Sequence, residues 1–262
     1  MKIEAIKTRL IRASEINLND LLAESISELP ENSVVAISSK VVALCENRVV
    51  DIDSTTRADL VKQEADYYLP PELSAYNYGF AITRGTLIAS AGIDESNGDG
   101  HWVLWPKDPF ASANAARAFL REHFHRQNIG AIITDSNCLP PLRRGTIGIM
   151  VAWSGFRALN DLRGTSDLFN HEFKVSVSAI AGGLAAAANV VMGEGTESTP
   201  IAVISDATFV NFVDHDPTVE EIAATFVDKD EDLYAPFLNS VNWRQGVSSY
   251  GIINRGPGSS AD

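Results

Sequence analysis

Apolar residues occur along this chain in short runs, and several of these runs end at acids or hydroxyls. The runs Ser33–Ser38 and Ile201–Ser205 consist mostly of β-branched and small apolar residues, which is typical of strands covered on both faces. A third run over residues 132–134 leads directly into Asp135 and Ser136. The pattern therefore predicts a buried strand that delivers an acid and a hydroxyl to its exposed end.

The spacing of apolar residues and the positions of proline, glycine and capping residues predict the remaining helices and strands. Predicted helices cover residues 55–69, 109–127 and 179–192, with a fourth that is capped by residues 216–218 and runs to residue 227. Predicted β-structure comprises a hairpin over residues 80–90 that turns at Arg84-Gly85, and strands over residues 102–105, 147–153 and 173–178. This order indicates a mixed α/β protein, α+β-like, with several antiparallel pairs.

Charge excludes some classes of protein. The 262 residues carry a formal net charge of -13, whereas binders of nucleic acid or anionic membranes need a basic surface. An apolar fraction of 45% fits an ordinary globular protein, and the acidity fits solubility. A phosphate-bearing substrate would therefore need local cations or a metal ion.

Cysteine content and apolar stretches indicate the compartment. Cys45 and Cys138 form no CxxC motif, so we expect a reducing cytosol. The N-terminus is too frequently charged for a signal peptide. The uncharged stretch 175–193 is rich in alanine, glycine and serine, which suits an internal helix better than a membrane span.

Three segments place oxygen ligands or glycines directly after an apolar element: residues 91–100, 134–145 and 192–199. Carboxylate and hydroxyl oxygens are the ligands that Mg²⁺ and Mn²⁺ prefer. Each segment also has a plainer interpretation, since the acids fit solvated turns or a helix N-cap and Gly193 fits a helix C-cap. The sequence contains no EF-hand spacing, Walker A motif or GxGxxG fingerprint.

Two groups of cations complement these acids. Lys40 follows Ser38 and Ser39 at the end of a predicted strand, where hydroxyls and a cation suit phosphate oxygens. Arg143 and Arg144 form a possible bidentate clamp for phosphate or carboxylate. For all three cations the alternative is a solvated surface charge.

Several segments, in this order, resemble one family: the coenzyme F-420:L-glutamate ligases and their bacterial relatives assigned to folate metabolism as γ-glutamate ligases. The bacterial group is the more similar. The resemblance extends to about residue 205 and rests on the segments SSKVVALCENRVV, SAGIDESN, PKDPFASA, IITDS, RRGTIGI, DLRGTSDLF and LAAAANVVMGEGTESTPIAVI.

The resemblance implies a family-specific γ-glutamyl ligase fold, a homodimer, and use of GTP with Mg²⁺ or Mn²⁺. It implies four metal ligands: Asp94, Asp135, Ser136 and Glu194. It implies nucleotide contacts from Ser39, Lys40, Asn97, Met192, Gly193, Glu194, Gly195, Thr196, Glu197, Ser198 and Thr199. Lys40, Arg143 and Arg144 would neutralise charge during catalysis.

Two departures from the archaeal members concern the substrates. Leu44 stands where those ligases have a second lysine, which removes one cation from the expected nucleotide site. The turn at residues 138–142 stands in place of the Gly-Arg-Pro-Trp-Arg of those ligases. Because that turn is expected to face the acceptor, the departure concerns the identity of the acceptor more than the ligase chemistry.

The leading hypothesis is thus a cytosolic, GTP-dependent ligase that joins L-glutamate to a small carboxylate acceptor through an acyl phosphate. A nucleotide phosphohydrolase on the same metal site, or a non-catalytic nucleotide-sensing protein, are the alternatives. We expect a ligase core over residues 1–205, which could form two interleaved lobes. Residues 206–262 would then be an extension that packs on the core and ends in a loose tail.

Overall fold

The computed structural model describes residues 1–74, 76–138 and 140–248. Leu139 and the tail at residues 255–262, expected to be loose, lie outside the described residues. The α-helices of the described part are α1 (Leu18–Ser25), α2 (Ser39–Cys45), α3 (Arg57–Glu64), α4 (Pro109–Phe124), α5 (Ile180–Met192), α6 (Val219–Ala223) and α7 (Ala235–Leu238).

The strands of the described part are β1 (Lys2–Ile6), β2 (Ser33–Ser38), β3 (Val49–Asp51), β4 (Tyr67–Tyr68), β5 (Phe80–Thr83), β6 (Thr86–Ala89), β7 (His101–Val103), β8 (Ile129–Cys138), β9 (Thr146–Ser154), β10 (Leu159–Asp161), β11 (Val177–Ala179), β12 (Ile201–Ser205) and β13 (Arg244–Gln245). Short 3-10 helices cover Pro71–Leu73 and Ser90–Gly92. This content confirms the predicted mixed, α+β-like class.

The chain divides into two compact units, each built from two stretches of sequence. Unit 1 comprises residues 1–47 and 106–217, and unit 2 comprises residues 48–105 and 218–262.

Unit 1 is built on a five-stranded mixed sheet in the order β1-β12-β2-β8-β9. Strands β2 and β8 are parallel, with Ser38 opposite Thr134, whereas β12 pairs with β2 and β9 with β8 in antiparallel fashion. Helices α4 and α5 both pack on β8 and β9. The buried residues of β2 and β12 confirm that these apolar runs are covered on both faces.

Unit 2 contains a four-stranded antiparallel sheet in the order β13-β4-β5-β6 and the separate pair β3-β7. The predicted hairpin is confirmed, and its turn at Arg84 and Gly85 has positive φ at both residues, as a tight two-residue hairpin turn requires. A core of buried apolar side chains joins α3 to these strands, and it comprises Leu60, Val61, Ala65, Ala81, Ala91, Ile93, Trp102 and Leu104.

Helix α4 begins as predicted, because Asp108 accepts a hydrogen bond from the Ala111 N–H and Pro109 occupies the first turn. It ends at Phe124, three residues before the predicted end, and His125 follows with φ 52°. Helix α5 confirms the prediction over residues 179–192, with Gly193 as its C-cap. In the described part of the chain, no helix combines the length and the apolar character that crossing a bilayer would require.

Three further sequence predictions of secondary structure were wrong in extent. The helix predicted over residues 55–69 is only α3, because Tyr67 and Tyr68 pair with Ile82 and Ala81 of β5. Of the strand predicted over residues 173–178, only its end belongs to β11. Phe173 instead exchanges backbone hydrogen bonds with Gly164 and Thr165, beside an isolated antiparallel bridge between Ser166 and Glu172.

The third concerns the helix predicted to reach residue 227. Helix α6 starts at a capping box formed by Thr218 and Glu221 but ends at Ala223. The next N–H groups, of Thr225 and Phe226, bond to carbonyls three residues earlier, so the backbone tightens and leaves the α-helix there.

The contact of α5 with β9 gives a test of packing. An added Cβ at Gly148 would lie 2.4 Å from the Asn189 Cβ and 2.5 Å from the Ala185 carbonyl oxygen. We therefore expect Gly148→Ala to lower the free energy of unfolding by about 1–3 kcal/mol, because overpacking displaces the helix. Urea unfolding followed by circular dichroism measures this change.

Gly183, in the same helix, is the matched control. A Cβ there meets no atom within 4 Å. Gly183→Ala should leave stability unchanged or raise it by about 0.5–1 kcal/mol, because alanine favours the helix. Equal destabilisation by both substitutions would contradict the close contact at Gly148.

Candidate functional site

The parallel pair β2 and β8 determines where the first candidates lie. Ser39 and Lys40 open α2 immediately after β2. Because Ser38 stands opposite Thr134, these two residues lie at the same sheet edge as Asp135 and Ser136. Ser39 is buried, while Lys40, Asp135 and Ser136 are half-buried.

Asp135 and Ser136 lie within β8 and not after it, which corrects the expectation that the strand ends there. Strand β8 continues to Cys138 because β9 pairs with it throughout, with Ile149 opposite Asp135 and Gly148 opposite Ser136. Successive side chains of a strand point to opposite faces. Ser136 thus shares the face of Gly148, against which α5 packs, and Asp135 points to the other face.

The segment Met192–Thr199 reaches the same edge of the sheet. Its far end leads into β12, where the Ser38 N–H bonds to the Pro200 carbonyl at 2.9 Å. Its near end is held by the Thr199 hydroxyl, which donates to the Met192 carbonyl at 2.5 Å. The candidate loop is therefore anchored beside the end of β2.

Glu194 has defined partners at this edge. Its Oε1 atom accepts hydrogen bonds from the Thr146 hydroxyl at 2.9 Å and from the Asn189 side-chain amide at 3.1 Å. Thr146 belongs to β9 and stands opposite Cys138. The carboxylate of Glu194 is thus oriented from the α5 side of the sheet, the side on which Ser136 also lies.

The remaining residues of this loop are exposed between Gly193 and Ser198. Gly193 has φ 75°, and a Cβ there would lie 2.7 Å from the Glu197 carboxyl carbon. The Gly195 N–H donates to Glu197 Oε2 at 2.7 Å. The Glu197 carboxylate therefore covers the backbone at Gly193 and Gly195, and the loop is closed by its own side chain there.

Arg143 and Arg144 lie in the exposed turn between β8 and β9. The Arg143 N–H bonds to the Pro140 carbonyl at 3.3 Å, and Arg144 is two residues before Thr146, the partner of Glu194. The turn is therefore next to the candidate loop along β9.

Asp94 and Asn97 belong to unit 2. Asp94 is held to β7 by two backbone hydrogen bonds with Val103, and its carboxylate accepts from the Ser96 N–H at 2.9 Å and the Ser96 hydroxyl at 2.8 Å. Asn97 is exposed, with φ 56°. The loop at residues 91–100 thus presents acids and an amide from an ordered turn.

Carboxylate and hydroxyl oxygens of Asp135, Ser136 and Glu194 fit Mg²⁺ or Mn²⁺, which prefer oxygen ligands. In the described ranges, no three His, Cys, Asp or Glu side chains gather as a metal-binding group. Of these donors, Ser136 and Glu194 lie on one side of the unit 1 sheet, whereas Asp135 points to its other face.

Some residues of the site had no signal in the sequence. Thr146 and Asn189 orient Glu194, but their role depends on the packing of α5 against β9 and not on a local motif. Leu44, which stands where related ligases have lysine, is buried in α2. It serves the core of unit 1 and offers no charge to a ligand.

Comparisons with known proteins show the family of this chain. A sequence model of the F420-0:Gamma-glutamyl ligase family matches residues 5–206. The coenzyme F420:L-glutamate ligase of Methanopyrus kandleri is 34% identical over 220 residues, which cover 78% of this chain and 86% of that protein. The protein so named in Methanocaldococcus jannaschii is 33% identical over 208 residues, or 74% and 82% of the two chains. This chain belongs to the F420-0:gamma-glutamyl ligase family.

The two cysteines near the site give a test of local burial. Burial, reinforced by the neighbouring Glu46, raises the pKa of the half-buried Cys45 to about 11, whereas Cys138 is exposed. Only the thiolate reacts with iodoacetamide, so at pH 8 we expect Cys138 to be alkylated first, by roughly tenfold or more in rate. Peptide mass spectrometry after timed quenching measures both rates.

The variant Cys138→Ser provides the control, because Cys45 is then the remaining thiol. Labelling of this variant should be slow in buffer and fast in urea. Fast labelling of Cys45 in the folded protein would contradict its burial.

Proposed function

We propose that this protein is a GTP- and divalent-metal-dependent γ-glutamyl ligase that adds L-glutamate to a carboxylate acceptor. The observation that carries the proposal is the meeting of three separate segments at one edge of the unit 1 sheet. Ser39-Lys40, Asp135-Ser136 and the loop Met192–Thr199 come together there through strand pairing. Membership of the ligase family supports the same reaction.

Amide formation in water requires an activated carboxylate. Transfer of the γ-phosphoryl group of GTP to the acceptor carboxylate would give an acyl phosphate, and the glutamate amine would then displace phosphate to form the amide. The chain's part in this sequence is to bind, orient and neutralise charge. Lys40 is suited to phosphate oxygens beside the hydroxyl of Ser39, and Arg143 and Arg144 supply further positive charge.

The metal ions belong to the same proposal. Asp135, Ser136 and Glu194 of unit 1 would hold Mg²⁺ or Mn²⁺. Asp94 and Asn97, which belong to unit 2, would keep the roles that the resemblance implies, a metal ligand and a nucleotide contact. A bound divalent cation would neutralise phosphate oxygens as charge develops on them. Because Asp135 and Ser136 leave β8 on opposite faces, the two residues can serve different cations, Ser136 on the same side as Glu194. A homodimer in the cytosol completes the proposal.

A turnover assay tests the reaction. With Mn²⁺, GTP and L-glutamate, the acceptors F420-0 and folate are offered separately, and GDP, phosphate and glutamylated product are measured by chromatography and mass spectrometry. We expect GDP release to require both glutamate and an acceptor. Asp135→Asn should reduce turnover by roughly a hundredfold, because the variant loses the charged ligand with little change in shape.

Asp20→Asn is the matched control, since Asp20 lies in the first turn of α1 and should leave turnover unchanged. GDP release that is independent of glutamate and acceptor would instead indicate a nucleotide phosphohydrolase. Nucleotide binding without turnover, retained in Asp135→Asn, would indicate a non-catalytic nucleotide sensor.

Metal binding can be tested without turnover. Mn²⁺ titrations followed by electron paramagnetic resonance should show that Glu194→Gln weakens binding of one cation by about tenfold, because a neutral amide replaces a charged ligand. Glu24→Gln changes an exposed carboxylate that pairs with Arg9 and should have no effect. Identical Mn²⁺ binding by wild type and Glu194→Gln would remove Glu194 from the proposed ligands.

A further inference from the structure

Glu194 contacts its neighbours through one of its two carboxylate oxygens. Both hydrogen bonds, from the Thr146 hydroxyl at 2.9 Å and from the Asn189 side-chain amide at 3.1 Å, are accepted by Oε1. Each oxygen of a carboxylate offers about two lone-pair positions. Oε1 is therefore fully used, whereas Oε2 accepts no hydrogen bond from the residues that the structure describes.

The two donors are held in place by different elements. Asn189 is half-buried in the last turn of α5, where a Cβ added at Gly148 would lie 2.4 Å from the Asn189 Cβ. Gly193, with φ 75° at the C-cap, turns the chain so that Glu194 reaches back to this turn. Thr146 is fixed by the pairing of β9 with β8. A helix and a strand thus hold one carboxylate oxygen between them.

The charge of Glu194 is not neutralised by the protein. Within residues 1–74, 76–138 and 140–248, no Lys, Arg or His side chain forms an ion pair with it. Glu194 is also exposed, so a cation from solution can reach its carboxylate. The oxygen that such a cation meets without displacing a hydrogen bond is Oε2.

The number of available carboxylate oxygens affects the choice of cation. Ca²⁺ takes about 6–8 oxygen ligands in a flexible geometry and often binds both oxygens of one carboxylate. Mg²⁺ is smaller, needs near-octahedral geometry and usually keeps several waters, and Mn²⁺ also suits octahedral oxygen sites. A carboxylate that offers one oxygen in a fixed direction is therefore better suited to Mg²⁺ or Mn²⁺ than to Ca²⁺.

We propose that Thr146 and Asn189 are positioning residues that determine cation selectivity. By occupying Oε1 they restrict Glu194 to binding a cation through Oε2 alone, which favours Mg²⁺ and Mn²⁺ over Ca²⁺. The inference rests on the proposed function for the role of Glu194 as a metal ligand. Cation binding needs neither acceptor nor turnover, so selectivity can be measured with the metal alone.

Mn²⁺ titration followed by electron paramagnetic resonance, with Ca²⁺ as competitor, measures selectivity as the ratio of the Ca²⁺ to the Mn²⁺ dissociation constant. The double variant Thr146→Val/Asn189→Leu removes both donors and nearly preserves the size of both side chains. We expect its ratio to be about tenfold lower than that of wild type, because Mn²⁺ loses an oriented ligand while Ca²⁺ gains a second oxygen. Thr146→Ser keeps a hydroxyl and should keep the wild-type ratio.

Unit 2 offers matched controls for both substitutions. Asn239→Leu removes a side-chain amide that donates to Asp230 Oδ1 at 2.9 Å. Thr225→Val removes a hydroxyl that donates to the Ile222 carbonyl at 2.7 Å. Both variants should keep the wild-type ratio of dissociation constants, because neither changes a donor to Glu194.

Infrared spectroscopy tests the binding mode in a protein that retains both donors. The gap between the antisymmetric and symmetric carboxylate stretching frequencies is wider when a metal binds one oxygen than when it binds both. The difference between wild-type and Glu194→Gln spectra isolates the bands of Glu194. With Mg²⁺ we expect the wider gap, and this result does not depend on the folding of the double variant.

Two results would overturn the inference: an unchanged ratio of dissociation constants in the double variant, or the narrow infrared gap for wild type with Mg²⁺. In both cases the proposed function stands if Glu194→Gln still weakens Mn²⁺ binding. If Glu194→Gln leaves Mn²⁺ binding unchanged, Glu194 is not a metal ligand and the inference fails with that part of the proposed function.

Discussion

The parallel pairing of β2 with β8 is the constraint on which the unit 1 site depends. Parallel strands end at the same edge of a sheet, so the register that sets Ser38 opposite Thr134 also brings Lys40 to the edge where Asp135 emerges. The antiparallel addition of β12 to β2 then returns the chain from Met192–Thr199 to that edge. Segments about a hundred residues apart meet because backbone hydrogen bonds leave them no other register.

The packing of α5 against β9 determines the orientation of the Glu194 carboxylate. At Gly148 the backbone of β9 approaches α5 so closely that no side chain fits between them. This approach places Asn189 on the helix and Thr146 on the strand where both bond the same oxygen of Glu194. Gly148 therefore sets the distance between the two elements that orient the Glu194 carboxylate, and in the proposed reaction it would act without touching any ligand.

Local sequence predicts a helix or strand correctly where its bounds depend on its own residues. Examples are the buried run of β2, the N-cap at Asp108 and the C-cap at Gly193. Local sequence fails where a neighbouring strand determines the bounds of the element. Tyr67 leaves the helical pattern because β5 offers it a partner, and Asp135 remains in a strand because β9 extends beside it. The grouping of Lys40 with Asp135 likewise follows from strand order, which no local pattern reveals.

The acidity of the chain makes the placement of single cations decisive for anionic substrates. At physiological ionic strength the screening length is about 8 Å, so distant acids act weakly on a bound anion while groups in contact with it dominate. Leu44 is a buried core residue and offers no charge, so in the proposed reaction Lys40 and metal ions would neutralise the nucleotide in unit 1. In unit 2, Arg57 stacks against aromatic rings and bonds Glu95, which holds a guanidinium in place at small entropic cost.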